Sequence, residues 1–337
     1  MMVFFFSCSR LSYLTQQAPE QIKLMISGEE NEELIKGNKV SEDIKRKLRL
    51  IRDSKAYFEK TLGVDTGSTY EKTILLNREA VSYLGIRSKI NKISSIKECF
   101  PIFGCFPYLG FFNKSEGESF LASQEGNIST YLRPVYAYSS LGKYSDRVLS
   151  PFFRFSDRNL AELIFHELFH HVLFIKSEVT VNENLATFFA KLMANQFFKE
   201  DEALFVKNSR KKNIKKKKRV LLVEMIKGLN KDDLFRSINS KKESQSYIQK
   251  QIEQLNEQIK MDCENIGYSN CLFRPLKWNA ARLSEYHTYQ SKQGFFEELY
   301  NRKFRNLKSF FDYLVLNYKD FQKTPGKKTF IEYLKSR

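Results

Sequence analysis

The chain has 337 residues, 42% of them hydrophobic, with 30 Phe, 17 Tyr and a net charge of +17. That is ample for a packed core in one large domain or two small ones. No uninterrupted apolar run reaches about 18 residues, which excludes a membrane-spanning helix, and no internal repeat is present.

Met1 to Ser7, MMVFFFS, is an apolar scrap followed by Cys8. It reads as the tail of a lipoprotein signal, with residues 1–8 ending at a lipidated cysteine and 9–330 forming a single domain. A full signal has a charged start and a longer apolar run, so the true start is expected upstream. The alternative is the ordinary apolar terminus of a cytoplasmic protein. With Cys8 lipidated, Cys99, Cys105, Cys263 and Cys271 remain, enough for two local disulfides in an oxidising compartment, with the pairing open.

Leu11 to Ile26 reads as helix, Asn31 to Asn38 as a polar linker, and Ser41 to Leu62 as an amphipathic helix ended by Gly63. Asp65 to Ser68 is a turn, and Thr73 to Leu76 and Tyr83 to Ile86 are short strands. Ile96 to Phe112, rich in Phe, Gly and Pro, favours irregular or short-strand structure, and Arg133 to Ser139 has strand composition.

The chemistry concentrates in Leu160 to Ala190. Leu160, Leu163, Ile164, Leu168, Val172 and Ile175 form an apolar stripe at helical spacing, with Ser156 and Asp157 offering an N-cap. On that helix His166-Glu167-Leu168-Phe169-His170 spells H-E-x-x-H. Imidazoles at i and i+4 share a face and reach one ion, and the glutamate between them can deprotonate a water on that ion. His171 points about 100° away from His170 and is not a ligand. A catalytic zinc needs a third protein ligand and an open position. After a turn at Lys176-Ser177, Glu183 opens a second helix, where it shares a face with Ala186, Thr187, Ala190 and Ala194. Small residues there let the two helices approach and bring the carboxylate to the metal. Glu178 is the spare third ligand.

Lys207 to Arg219, KNSRKKNIKKKKR, carries nine positive charges and no acid. It reads as a solvated basic insertion, with an anionic membrane surface as its candidate partner. Nucleic acid is not expected, because no nucleic-acid module is recognisable. Val220 to Leu229 and Tyr247 to Asp262 read as helices, as do Asn279 to Tyr289, Phe295 to Tyr300 and Leu307 to Tyr318, before a frayed basic end of some fifteen residues.

Several segments resemble the bacterial predicted aminopeptidases, a zinc-dependent and often lipid-anchored family. Beside H-E-x-x-H, Cys99 to Phe112 (CFPIFGCFPYLGFF) resembles the family's stretch ahead of the catalytic helix, and Tyr136 to Asp146 (YAYSSLGKYSD) its A-Y-S-T-L-G segment. Asn182 to Ala186 (NENLA) matches N-E-x-x-A, and Trp278 to Leu283 (WNAARL), followed by Tyr289, resembles N-N-A-x-L. The resemblance covers about residues 8–200 and 270–320, and departs at Lys143-Tyr144 and Asp146-Arg147.

The expected protein is therefore α+β and mainly helical, with a zincin-like core and a small sheet beside the H-E-x-x-H helix. The expected activity is zinc-dependent hydrolysis of peptides, of aminopeptidase type, in a cell-envelope location. His166, His170 and Glu183 hold Zn2+, and Glu167 is the general base. Tyr136 to Leu141 is the expected substrate-binding sheet edge, and Tyr138 and Ser139 on it, with Tyr289, are the expected substrate-binding residues. Tyr138, Tyr286, His287 and Tyr289 are candidate oxyanion donors. Glu178 and Asp146 are the candidates for holding a substrate ammonium. The alternatives are a membrane-associated endopeptidase and an anchored binding protein with an idle zinc site.

Overall fold

The structure, a computed structural model, describes residues 8–100, 104–137, 145–199, 202–265, 271–274, 277–323 and 329–337. Met1 to Ser7, and with them most of the expected signal, lie outside the described residues, as do Tyr138, Ser139 and the rest of 138–144.

In chain order the elements are α1 (Cys8–Ile26), β1 (Glu29–Glu30), α2 (Asn31–Lys36), α3 (Glu42–Leu62), β2 (Lys72–Ile74), β3 (Ser82–Lys89), β4 (Lys92–Ser95), β5 (Glu98–Phe100), β6 (Gly104–Phe106), β7 (Leu109–Phe111), α4 (Lys114–Ala122), β8 (Ile128–Val135) and β9 (Val148–Leu149). A 3-10 turn at Ser150–Arg154 leads into α5 (Asp157–Val172), α6 (Val179–Phe197), α7 (Glu202–Leu229), α8 (Asp233–Ser237), α9 (Lys241–Asn265), α10 (Ala280–Gln290), α11 (Gln293–Lys303), α12 (Leu307–Lys323) and α13 (Phe330–Lys335). The protein is mainly helical with small sheets, an α+β arrangement.

β3 is the spine of the main sheet. It pairs antiparallel with β8 along its whole length, Ser82 opposite Val135 and Lys89 opposite Ile128. Its other side takes β7 and then β4. Along β8 the alternation of a strand sorts side chains onto two faces. Ser129, Tyr131 and Arg133 meet α10, through Ala281 N–H, Arg282 and Glu285 respectively. Leu132 faces α4, where it closes on Gly117. Among the described residues β8 pairs with β3 alone, so its far side is a sheet edge, and Pro134, which has no N–H, is tolerated there. The expected edge at Tyr136 to Leu141 begins just past this strand: β8 ends at Val135, and Tyr136 and Ala137 are not strand.

Among the described residues the two larger of three apolar clusters make up most of the core. The larger joins α3, α5, α6, α12 and α13, with Phe58, Phe165, Phe169, Phe189, Phe310 and Phe330 fully enclosed. The smaller joins β4, α7, α8, α9 and α10 around Leu222, Ile226, Phe235, Ile248, Ile252 and Leu283.

Three local expectations are corrected. The polar stretch after α1 is no linker: Asn31 donates from its amide to Tyr70 O at 2.8 Å and accepts from the Thr73 hydroxyl at 2.6 Å, and Leu34 is buried. The basic block is helix, the middle of α7. Lysine and arginine are good helix formers, and the charges find partners: Lys216 and Arg219 on Glu297, Lys217 on Asp262. Ile214, Leu222, Val223 and Ile226 supply the buried stripe that holds it. The C-terminal end is not frayed either, since Thr329 caps α13, whose Phe330, Ile331, Tyr333 and Leu334 are buried. The four cysteines pair as Cys99–Cys105, across the β5–β6 hairpin, and Cys263–Cys271.

Candidate metal centre

α5 forms as its apolar stripe requires, with Leu160, Ile164 and Leu168 fully buried against the larger core. Ser156 occupies the N-cap position, although its side chain makes no capping bond; its carbonyl accepts from Leu160 N at 2.8 Å. α6 packs directly on α5, and the small residues expected to allow this, Ala186, Ala190 and Ala194, are buried.

The connection between the helices is fastened by Asn182. Its side-chain amide donates to Ile175 O and its carbonyl accepts from Ile175 N, both at 2.8 Å, closing a loop of backbone within a buried setting. Ser177 takes a left-handed φ of 64° to make the turn. Asn184, also buried, reaches the other way: it donates to Thr288 O at 2.8 Å and accepts from Lys292 N at 2.9 Å, tying α6 to the end of α10. Glu183 lies between these two clamps.

The outcome is a tight triad. His166 Nε2 and His170 Nε2 are 3.1 Å apart, and Glu183 Oε2 lies 3.3 Å from the first and 3.7 Å from the second. Three such donors, mutually within 4.8 Å, can hold a metal ion. Glu178 is not among them; its carboxylate accepts from Phe330 N at 3.1 Å and serves the start of α13 instead. His171 is likewise outside the triad.

Electrostatics within the cluster are strong. For Glu183, burial favours the neutral acid, but the two imidazoles outweigh it and hold the carboxyl far below its ordinary value. Burial opposes protonation of His170, and Glu183 reverses this, raising its proton affinity. Glu167 is different. Burial raises its pKa, the histidines oppose this, and Glu183 and the buried Asp146 add to the rise. Asp146, a candidate ammonium anchor from sequence, thus lies close enough to act on Glu167. Tyr70, with a left-handed φ of 63° and a buried hydroxyl without a hydrogen-bond partner, feels the same two carboxylates.

A second group of side chains faces the triad from the sheet side. The Tyr108 phenol, ahead of β7, is kept neutral by burial first and then by Glu183, with Glu167 adding and Arg133 opposing. Tyr289 on α10 is raised in the same way, by burial and then Glu183. The Arg133 guanidinium stacks on the Tyr289 ring at 4.7 Å and donates to Glu285 Oε1 at 2.9 Å. Burial opposes its charge, but the Glu285 and Glu183 carboxylates oppose that in turn and keep it protonated.

Of the candidate oxyanion donors, then, Tyr289 is beside the triad. Tyr286 packs on Trp278 at 5.7 Å, and the groups acting on His287 are Lys292 and Lys227, so neither belongs to the cluster. Tyr138 and Ser139 lie outside the described residues. Sequence reasoning missed Tyr108, Arg133 and Glu285. Tyr108 did lie in a stretch singled out on other grounds; Arg133 and Glu285 carried no local signal.

A helical pair that brings two H-E-x-x-H imidazoles and a carboxylate from the next helix to one point defines a candidate metal centre, flanked on the sheet side by two phenols and an arginine. The chain belongs to the family described as "Putative aminopeptidase", whose model matches residues 12–327, and that description suggests a peptidase. No curated protein and no solved structure matches the chain.

Proposed function

We propose that the protein is a zinc-dependent peptidase, acting on peptides as an aminopeptidase. The observation that carries the proposal is the spacing of the triad. Tetrahedral zinc with bonds of about 2.0–2.1 Å sets its donors about 3.3 Å apart, and the three donor separations here are 3.1, 3.3 and 3.7 Å. Two imidazoles and a carboxylate are also the donor types of catalytic sites that keep a fourth position open. His166, His170 and Glu183 hold the ion. A helix bearing this motif beside a small sheet supports the zincin-like reading.

When bound, zinc supplies the Lewis acidity that makes water nucleophilic near neutral pH. The remaining work belongs to the chain. Glu167 takes the proton of the attacking water on its carboxylate and returns it to the departing amine nitrogen. The Tyr108 and Tyr289 phenols, kept neutral by burial, would donate to the oxygen on which negative charge grows. Two cysteine pairs close enough to be disulfides favour an oxidising compartment, and a lipid-anchored envelope protein at an anionic surface is the location we propose.

The test is a metal analysis paired with peptide digestion. Purified protein is expected to carry one zinc per chain and to cleave peptides with a free amino terminus, and N-acetylation of the same peptide is expected to stop cleavage. Persisting cleavage of the acetylated peptide would make the enzyme an endopeptidase. Zinc-free protein that zinc cannot restore to activity would overturn the reading.

A further inference from the structure

We propose that Arg133 is the binding site for a substrate's free C-terminal carboxylate, so that the enzyme's preferred substrates are short free-acid peptides. The inference rests on the peptidase reading for its substrate and deepens it.

The argument is one of charge and access. On the wall facing the triad Arg133 pairs with Glu285, and Arg282 lies nearby on α10. Glu285 is already claimed by Arg133, at 2.9 Å, and Arg282 acts on it as well. Arg282 has aromatic rings on two sides, Trp278 at 5.0 Å and Tyr131 at 5.2 Å, and donates to Lys277 O at 2.8 Å. The Arg133 guanidinium has five donors in a planar fork. One reaches Glu285, the Tyr289 ring covers one face, and about a third of the side chain is open to solvent. Glu285 and the Tyr289 ring hold the fork in place, so little freedom is lost when an anion arrives. The fork lies toward Glu183: Asn184, the next residue, donates to Thr288 O at 2.8 Å, and Arg133 stacks at 4.7 Å on the ring of Tyr289, which follows Thr288. A planar, permanently charged, partly exposed donor on the wall of the centre matches a carboxylate.

The experiment compares the tripeptide Ala-Phe-Ala with its C-terminal amide on the zinc-loaded full chain. A charge-assisted fork is expected to favour the free acid by about ten- to a hundredfold in kcat/KM, mostly through KM. Removing Arg133 alone strands Glu285, so the informative variant is Arg133→Met combined with Glu285→Met, in which the acid-to-amide ratio is expected to fall to about one. Arg133→Lys, which keeps charge but loses the fork, is expected to fall between. Thermal shift gives a readout independent of turnover: the acid raises Tm and the amide does not. Equal cleavage of acid and amide by the unaltered protein would overturn this inference and leave the peptidase reading standing. Binding of the acid alone without hydrolysis would support the carboxylate site and overturn the peptidase reading. Neither binding nor cleavage would overturn both.

Discussion

The two sides of the centre are built differently. The α5–α6 side spans residues 166–183, is bolted to its own backbone by Asn182, and rests on side chains that are almost entirely buried. The facing wall draws Tyr108, Arg133, Glu285 and Tyr289 from three distant segments and is partly open to solvent. The contrast teaches a division of labour. Donors that must meet an ion to within tenths of an ångström are held on rigid, locally closed structure. Groups that must admit and release a substrate sit on a polar wall whose parts meet only through tertiary packing.

This division can be broken from either side, and the largest effects are expected on the rigid half. Glu167→Gln should retain zinc and lose hydrolysis by about a thousandfold or more, whereas His166→Ala should lose the metal itself; metal content and kcat measured on the same preparations separate the two. Asn182→Ala should come next. It strands the buried N–H and C=O of Ile175, at a cost of about 2–4 kcal/mol in unfolding free energy, and should weaken zinc binding although Asn182 touches no metal; denaturant titration and a zinc competition assay check both. On the wall, the acid-to-amide preference at Arg133 is a matter of substrate alone and should leave zinc affinity unchanged.

How much of this could be read beforehand follows the same line. His166, Glu167, His170 and Glu183 stood out because their geometry depends on helical spacing and one short turn. Within the matching N-E-x-x-A segment the asparagine bonds were invisible, because a side chain's partner is a tertiary fact. Arg133 was assigned to a strand, correctly, but nothing near it in sequence announces Glu285, 152 positions away. The basic block was misread for a related reason. Repulsion among its lysines favours an open loop only when no partners are near, and Glu297 and Asp262 come from α11 and α9. Of the expected edge only Tyr136 and Ala137 lie within the described residues, and they are not strand, since strand composition does not fix where pairing with β3 stops.

Two smaller effects sharpen the comparison. In metal-free protein, His170 binds its proton more tightly when folded, through Glu183. That contribution is fully present below the unfolded histidine value of about 6.5 and is lost as pH rises through the folded value. Glu183, whose folded value is depressed, contributes above about 4.5. The Tm gap between metal-free wild type and Glu183→Gln should therefore be widest near pH 5–6 and narrow toward pH 9. Smallest is Gly117→Ala. The added Cβ meets Leu132 Cδ1 at 2.8 Å, the movable tip of a side chain, so a loss of about 1 kcal/mol is expected, with little change in zinc affinity.

The most direct test of the centre is calorimetric titration of metal-free protein with zinc, run beside the Glu183→Ala variant. One site per chain, weakened severalfold or more in the variant, is the expected result. An absence of binding, or binding that survives unchanged when Glu183 and both motif histidines are replaced, would contradict it.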